Sequence, residues 1–119
     1  MKSNIILIIA FLFLFSCTET THKTSNTKVL NQLEKLYEQT DYFKLKTTFE
    51  TNRDELSEAH SLYYEAIINK VFNKPEVSNQ AIEKLLALEN SEINDTLLNN
   101  LYRAKLENHI KLYEYAKAV

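Results

Sequence analysis

One thiol, three imidazoles and sixteen carboxylates are the side chains of this 119-residue sequence best suited to nucleophilic, acid–base or metal-binding chemistry. The thiol is Cys17, the only cysteine, so no intramolecular disulfide can form and a zinc site built on thiolates is excluded. The imidazoles are His22, His60 and His109; no His-x-x-x-His spacing occurs, no Glu-x-x-His spacing ends at His60 or His109, and the one at Glu19–His22 lies in a polar stretch without helical periodicity. Glu107 and His109 are two residues apart and do not share a helix face. Acid–base catalysis needs such groups gathered in a cleft with shifted pKa values. Glu34, Glu38, Glu58, Glu65, Glu83 and Glu107 are instead spread among lysines, as on a solvated surface. A Ser–His–Asp triad is a spatial arrangement that no spacing encodes, and no pattern here points to one. The expectation is a chain without catalytic residues, metal or cofactor, and not an enzyme.

The position of Cys17 carries more than its number. Lys2 supplies a basic start, and Ile5 to Phe15 form an unbroken apolar run of eleven residues. A spanning helix needs about 20. A basic start, a short apolar core and a small residue before the cut read as a secretory signal over residues 1–16. Leu14-Phe15-Ser16-Cys17 resembles the bacterial lipobox, with Phe15 bulkier than the usual occupant of its position. The resemblance implies cleavage before Cys17 and acylation of its thiol and new amino group. Acyl chains contribute about 0.8 kcal/mol per buried CH₂, so two or three hold a protein on a bilayer. The partner so implied is a membrane. Thr18 is not the Asp that marks inner-membrane retention in such lipoproteins, which favours the outer membrane of the cell envelope.

After that cut 103 residues remain (119 − 16), enough for one small domain, and loss of Lys2 takes the formal charge from −2 to −3. A mildly acidic chain has no electrostatic reason to bind nucleic acid. The sequence has no glycine and one proline, so phosphate-cradling loops and tight β-turns lack their usual residue. Residues 17–27, polar and rich in Thr and Ser, read as the lipidated cysteine and a flexible tether, with His22 solvated.

From Lys28 the period is helical, and residues 28–119 read as one all-α domain. Val29, Leu30, Leu33, Leu36 and Tyr37 give one face, and Asp41 caps a second helix carrying Tyr42, Leu45 and Phe49. Asp54 or Ser57 opens a third with Ala59, Tyr63, Ile67 and Val71. Pro75 suits the first turn of a fourth with Val77, Ala81, Ile82, Leu85 and Leu86. Asn94 or Asp95 caps a fifth with Leu97, Leu98, Leu101, Leu106 and Ile110, ending near Leu112, and a sixth is expected from about Tyr115. Short connections predict antiparallel hairpins.

The segments Lys35–Leu45, Asn69–Ile82 and Ile110–Val119 align as helix-to-helix junctions, and anchoring on Leu45, Ala81 and Ala118 gives spacings of 36 (81 − 45) and 37 (118 − 81). That period belongs to stacked helix pairs. The junctions resemble tetratricopeptide repeats. Tyr37, Phe72 and His109 or Ile110 fall near the end of the first helix of each pair. Tyr42 and Tyr115 match the turn aromatic, and Ala81 and Ala118 the small residue where helices cross. Thr40, Glu76 and Tyr113 stand in place of the family's turn glycine, and Leu45 is large where Ala is usual. The resemblance implies a divergent array of about five helices and a sixth broken off after one turn, as in a chain truncated in mid-repeat.

The segments LYYEAIINKVFNKP (62–75) and ENHIKLYEY (107–115), together with the lipobox, resemble the helical N-terminal region of certain Bacteroidota lipoproteins. In some of those the region precedes a retropepsin-like aspartic protease domain. The protease motif is Asp-Thr-Gly or Asp-Ser-Gly, whereas this chain has Asp95-Thr96-Leu97, so no catalytic residue carries over. The function expected first is a non-catalytic scaffold for a protein or peptide partner. The alternatives are an accessory fragment of such a protease without its catalytic domain, and a solute-binding lipoprotein. Tyr37, Tyr42, Tyr63, Tyr102 and Tyr113 are expected to fill gaps between helices. Tyr64, off the main stripe, with Asn99 and Asn100, is the expected contact surface.

Overall fold

A computed structural model describes residues 23–89 and 92–118. The expected signal segment, Cys17, Thr18 and His22 lie outside the described residues. Among the described residues five α-helices follow one another: α1 (Thr27–Glu38), α2 (Tyr42–Asn52), α3 (Glu58–Val71), α4 (Pro75–Leu86) and α5 (Asp95–Ala118), with a 3-10 turn at Arg53–Glu55. The described residues contain no strand, and the all-α array of hairpins expected from the periodicity is the architecture found.

Four of the five helices begin where a side chain satisfies a free backbone donor. The side chain of Asn26 accepts from Lys28 N–H, Asp41 from Lys44, Ser57 from His60 and Asn94 from Leu97. Pro75 opens α4, where its missing N–H leaves no bond unmade. Ser57, not Asp54, is therefore the cap of α3, and Asp54 belongs to the 3-10 turn.

Two helix ends share one geometry. After α1, Asp41 N–H donates to Leu36 O and Thr40 N–H to Tyr37 O; after α3, Lys74 N–H donates to Asn69 O and Asn73 N–H to Lys70 O. These are Schellman closures, which require a left-handed residue after the cap. Thr40 (φ 57°) and Asn73 (φ 60°) take that place in a chain without glycine. Asn tolerates the conformation; a β-branched Thr does so at a steric cost. The closures are 33 residues apart (73 − 40), which corrects the register read from sequence. Asn73, rather than Glu76, matches Thr40, and Leu45 corresponds to Ser78 rather than to Ala81. Both of these residues are fully buried. Glu76 is already inside α4.

The expected sixth helix does not exist as a separate element. The chain from Ile110 to Ala118 continues α5 without interruption. Lys111, Leu112, Glu114, Ala116 and Lys117 are strong helix formers, and no residue between them breaks the backbone ladder. The third junction, with Tyr113 in the turn and Ala118 at a crossing, falls away with it.

The core runs through all five helices: Leu33 from α1, Leu45 and Phe49 from α2, Tyr63, Ala66 and Ile67 from α3, Ala81 and Ile82 from α4, and Leu101 and Ala104 from α5. The α3–α4 hairpin is its centre. α3 is buried around most of its circumference, Tyr63 and Tyr64 included, because α2, α4 and α5 all lie against it. Fully burying one such aliphatic side chain contributes roughly 1.5–3 kcal/mol.

The domain starts earlier than the expected tether boundary. Asn26 N–H donates to Glu55 O (2.8 Å), Asn26 Nδ2 to Glu55 Oε2 (2.6 Å), and Ser57 N–H to Ser25 Oγ (2.7 Å). Ser25 and Asn26 are therefore part of the folded unit.

Candidate interaction site

α5 carries two apolar stripes. Its inner stripe, Leu97, Leu101, Ala104 and Leu112, faces α3 and α4, with Leu101 and Ala104 fully buried. Its outer stripe is Tyr102, Leu106, Ile110 and Tyr113, at steps of four, four and three residues. These four are 52 %, 62 %, 51 % and 62 % exposed. The helical period brings all four onto one face, nearly opposite the buried one. Lys117 Nζ stands 4.7 Å from the Tyr113 ring centroid, an attraction of about 0.5–1 kcal/mol at an exposed site.

Polar contacts fix how this helix is rotated. Asn108, buried within the inner stripe, donates through Nδ2 to Ser78 Oγ (2.8 Å) and Asn79 Oδ1 (2.9 Å), and Ser78 Oγ donates to Ala66 O (2.7 Å). One chain of hydrogen bonds thus joins α5, α4 and α3. A half-satisfied version would cost more than an apolar contact, so the rotation that completes it is favoured. Asn100 Nδ2 donates to Tyr63 Oη at 3.3 Å. At the flanks Lys70 pairs with Glu107, and Lys105 with Glu83 at 2.8 Å. The Lys105 ammonium holds the Glu83 carboxyl below its usual value through its hydrogen bond and charge. Tyr115 Oη and Lys111 Nζ both donate to Asn73 Oδ1, which ties the far end of α5 to the left-handed residue after α3.

Of the three residues expected to form a contact surface, only Asn99 is exposed, one turn before Tyr102 on the outer face. Tyr64 is 4 % exposed. Its ring meets Tyr63 edge-on at 5.1 Å and Phe49 at 6.4 Å, and burial raises its hydroxyl pKa. It lies off the main stripe of α3, but α3 has neighbours on several sides, so being off one stripe does not mean facing water. Asn100 is half-buried and serves Tyr63. Tyr102 and Tyr113 reverse in the opposite sense: expected to fill gaps, they stand exposed, and so do Leu106 and Ile110 of the expected apolar face. The signal that identifies them is the width of the apolar arc. Residues 97, 101, 104 and 112 already fill one stripe, so 102, 106, 110 and 113 form a second.

Two other clusters gather titratable side chains. His60 is buried, with Ser25 Oγ 2.7 Å and Ser57 Oγ 3.1 Å from its Nδ1, and Glu92 Oε2 at 3.7 Å. Ser25 Oγ accepts from Ser57 N–H and also lies within hydrogen-bond reach of the imidazole Nδ1. Burial lowers the His60 pKa, against the opposing pull of the Glu92 carboxylate. Contact with Glu92 is therefore not an ion pair at neutral pH. Both hydroxyls meet the same ring nitrogen, so neither is set against a base that is oriented from its other side, as a nucleophile relay requires. The cluster docks the N-terminal segment onto α3.

A groove of about 180 Å³ lies between α2 and α3, lined by Lys46, Phe49, Arg53, Glu65 and Phe72 among others. Lys46 stands over the Phe72 ring at 5.0 Å, Arg53 over Phe49 at 5.4 Å, and Arg53 pairs with Glu65 at 2.6 Å. Lys46 and Arg53 are thus engaged by the groove's own rings and carboxylate. Among the described residues no three His, Cys, Asp or Glu side chains gather as a metal site, and no helix is long and apolar enough to cross a membrane. Comparison of the chain with protein-family models, with curated proteins and with solved structures finds no match.

Proposed function

We propose that this chain is a membrane-anchored lipoprotein whose non-catalytic helical domain is a scaffold for a protein partner, with the outer face of α5 as its docking surface. The observation that carries the reading is that face: four large apolar side chains at helical spacing, all at least half exposed, on a helix whose opposite side is locked to the core. A rigid helix with a free apolar stripe is one half of a helix-in-groove or helix–helix contact, and Tyr supplies apolar area with a polar tip. The two Schellman closures 33 residues apart support a divergent tetratricopeptide-like repeat, a class built on periods of this size.

The lipobox-like Leu14-Phe15-Ser16-Cys17 supplies the anchor in this reading. Because Ser25 is already held by the fold, eight residue steps separate it from Cys17 (25 − 17), a reach of about 28 Å at most. The docking face thus works close to the bilayer, on the outer membrane by the absence of Asp at position 18.

Two measurements test this. Cells fed a clickable fatty acid label the chain, and Cys17→Ala removes the label; label that survives the substitution overturns the lipid anchor. A photoreactive residue at position 102 or 110 captures a partner in intact cells, and absence of an adduct at both positions overturns the docking face.

A further inference from the structure

The outer stripe has the same order of residue classes in both directions, although its steps of four, four and three residues are not symmetric. Tyr102 and Tyr113 bracket Leu106 and Ile110, giving aromatic, aliphatic, aliphatic, aromatic. This order suits an isologous two-fold contact, in which each patch packs against its own copy turned end over end. Laid antiparallel on a copy of itself, the stripe sets Tyr102 against Tyr113 of the second copy and Leu106 against its Ile110.

The charges follow the same symmetry with opposite sign. Arg103 and Glu114 are eleven residues apart (114 − 103), about three helical turns, so both stand on one flank of the stripe. In an antiparallel helix pair like flanks face each other, and flanking charges set partner and orientation. Arg103 then lies opposite Glu114 of the second copy, and the two-fold axis makes the pair twice. Both side chains are exposed, and among the described residues neither takes part in an ion pair. At the ends, Asn99 falls opposite Lys117 of the second copy, polar against charged, without a clash of like charges.

We infer that the occupant of the α5 outer face is a second copy of this chain, in an antiparallel α5–α5 contact closed by two Arg103–Glu114 pairs. The inference rests on the docking-surface reading above and names its partner. It also carries a size. The four stripe residues expose on the order of 400–500 Å² per copy, given side chains of about 150–250 Å² each. Two such patches bury a little less than the ~1,000 Å² that a stable specific interface clears. The contact is therefore weak and reversible, and gains from tethering both copies to one membrane, which raises their effective concentration.

The experiment uses the full chain in its membrane, co-expressed with two different tags and carrying a photoreactive residue in place of Leu106. Irradiation should give an adduct of two chain masses bearing both tags. Arg103→Glu on both copies sets four carboxylates across the contact, and Glu114→Arg on both sets four cations there. Each should cut the adduct roughly tenfold, since two exposed pairs turn from attraction to repulsion. Co-expressing one R103E copy with one E114R copy restores opposite signs at both pairs and should restore the adduct. All these positions are exposed, so the variants keep the fold. A two-copy adduct indifferent to charge reversal overturns the antiparallel geometry. An adduct of any other mass, or an internal cross-link to the chain's own apolar N-terminal run, overturns the second copy as occupant. A foreign adduct leaves the docking face standing with another partner, whereas no adduct at all overturns both readings.

Discussion

The two faces of α5 have similar chemistry and opposite fates. Leu101 and Leu106 are the same residue, a little over one turn apart, and one is fully buried while the other is 62 % exposed. The inner face meets α3 and α4 and is held there by Asn108 through Ser78; the outer face meets no other described helix. Apolar character thus places a side chain on a stripe, and neighbouring elements decide whether that stripe becomes core or surface. An exposed Leu alone means little, whereas four large apolar residues on one face form a patch.

The sharpest way to break this contrast is to truncate both leucines. Leu101→Ala should destabilise the domain by about 2–5 kcal/mol in denaturant unfolding, through lost burial and an unfilled cavity. Loss comparable to that of an exposed position would mean that α5 does not pack by this face. Next in size, Asn108→Ala leaves the partners in its hydrogen-bond chain short and should cost about 1–3 kcal/mol. A neutral result would detach the rotation of α5 from that chain.

A titratable probe sharpens the contrast further, because burial gives His60 a lowered pKa. In the window between the lowered value and the ordinary imidazole range near 6.5, the unfolded chain binds more protons than the folded one. Stability therefore rises with pH through that window, is complete above it and is lost as pH falls through the folded value. Thermal unfolding across pH 4–8 should show this slope, and His60→Leu should remove that component. A slope unchanged in the variant would assign it to other groups. The smallest effect belongs to the outer face: Leu106→Ala should change stability by no more than about 0.5 kcal/mol while weakening capture at that face. A large loss of stability there would mean that the stripe is core after all.

Much of the fold was legible in the sequence because local rules govern it. The caps Asp41, Ser57 and Asn94, the opening Pro75 and the three-to-four-residue apolar period lie within a few residues of what they control. The repeat register was misread by three residues because side-chain similarity was aligned, whereas backbone closure defines the turn. Thr40 and Asn73 share a conformation but no side-chain character. A sixth helix from about Tyr115 is likewise not found, because nothing between Ile110 and Ala118 interrupts α5.

The site was legible only in part. Asn99 was placed on the surface correctly, but Tyr64 and Asn100 turn inward and Tyr102 and Tyr113 outward. A helical wheel records the angle of each side chain about its own axis; how many neighbours surround that axis is absent from it. α3 is enclosed by three helices and buries even its off-stripe tyrosine, while α5 is covered on one side and exposes a complete apolar stripe. The sequence by itself determined the helices, their caps, the absence of glycine at the turns, and the signal-like apolar run ahead of Cys17. Tertiary structure alone decided which face of each helix is core, that Ser25 and Asn26 belong to the fold, and that α5 has an uncovered apolar side. The physical reason is range. Helix formation is settled by hydrogen bonds and side chains within about one turn, whereas burial is a property of contacts between residues distant in sequence.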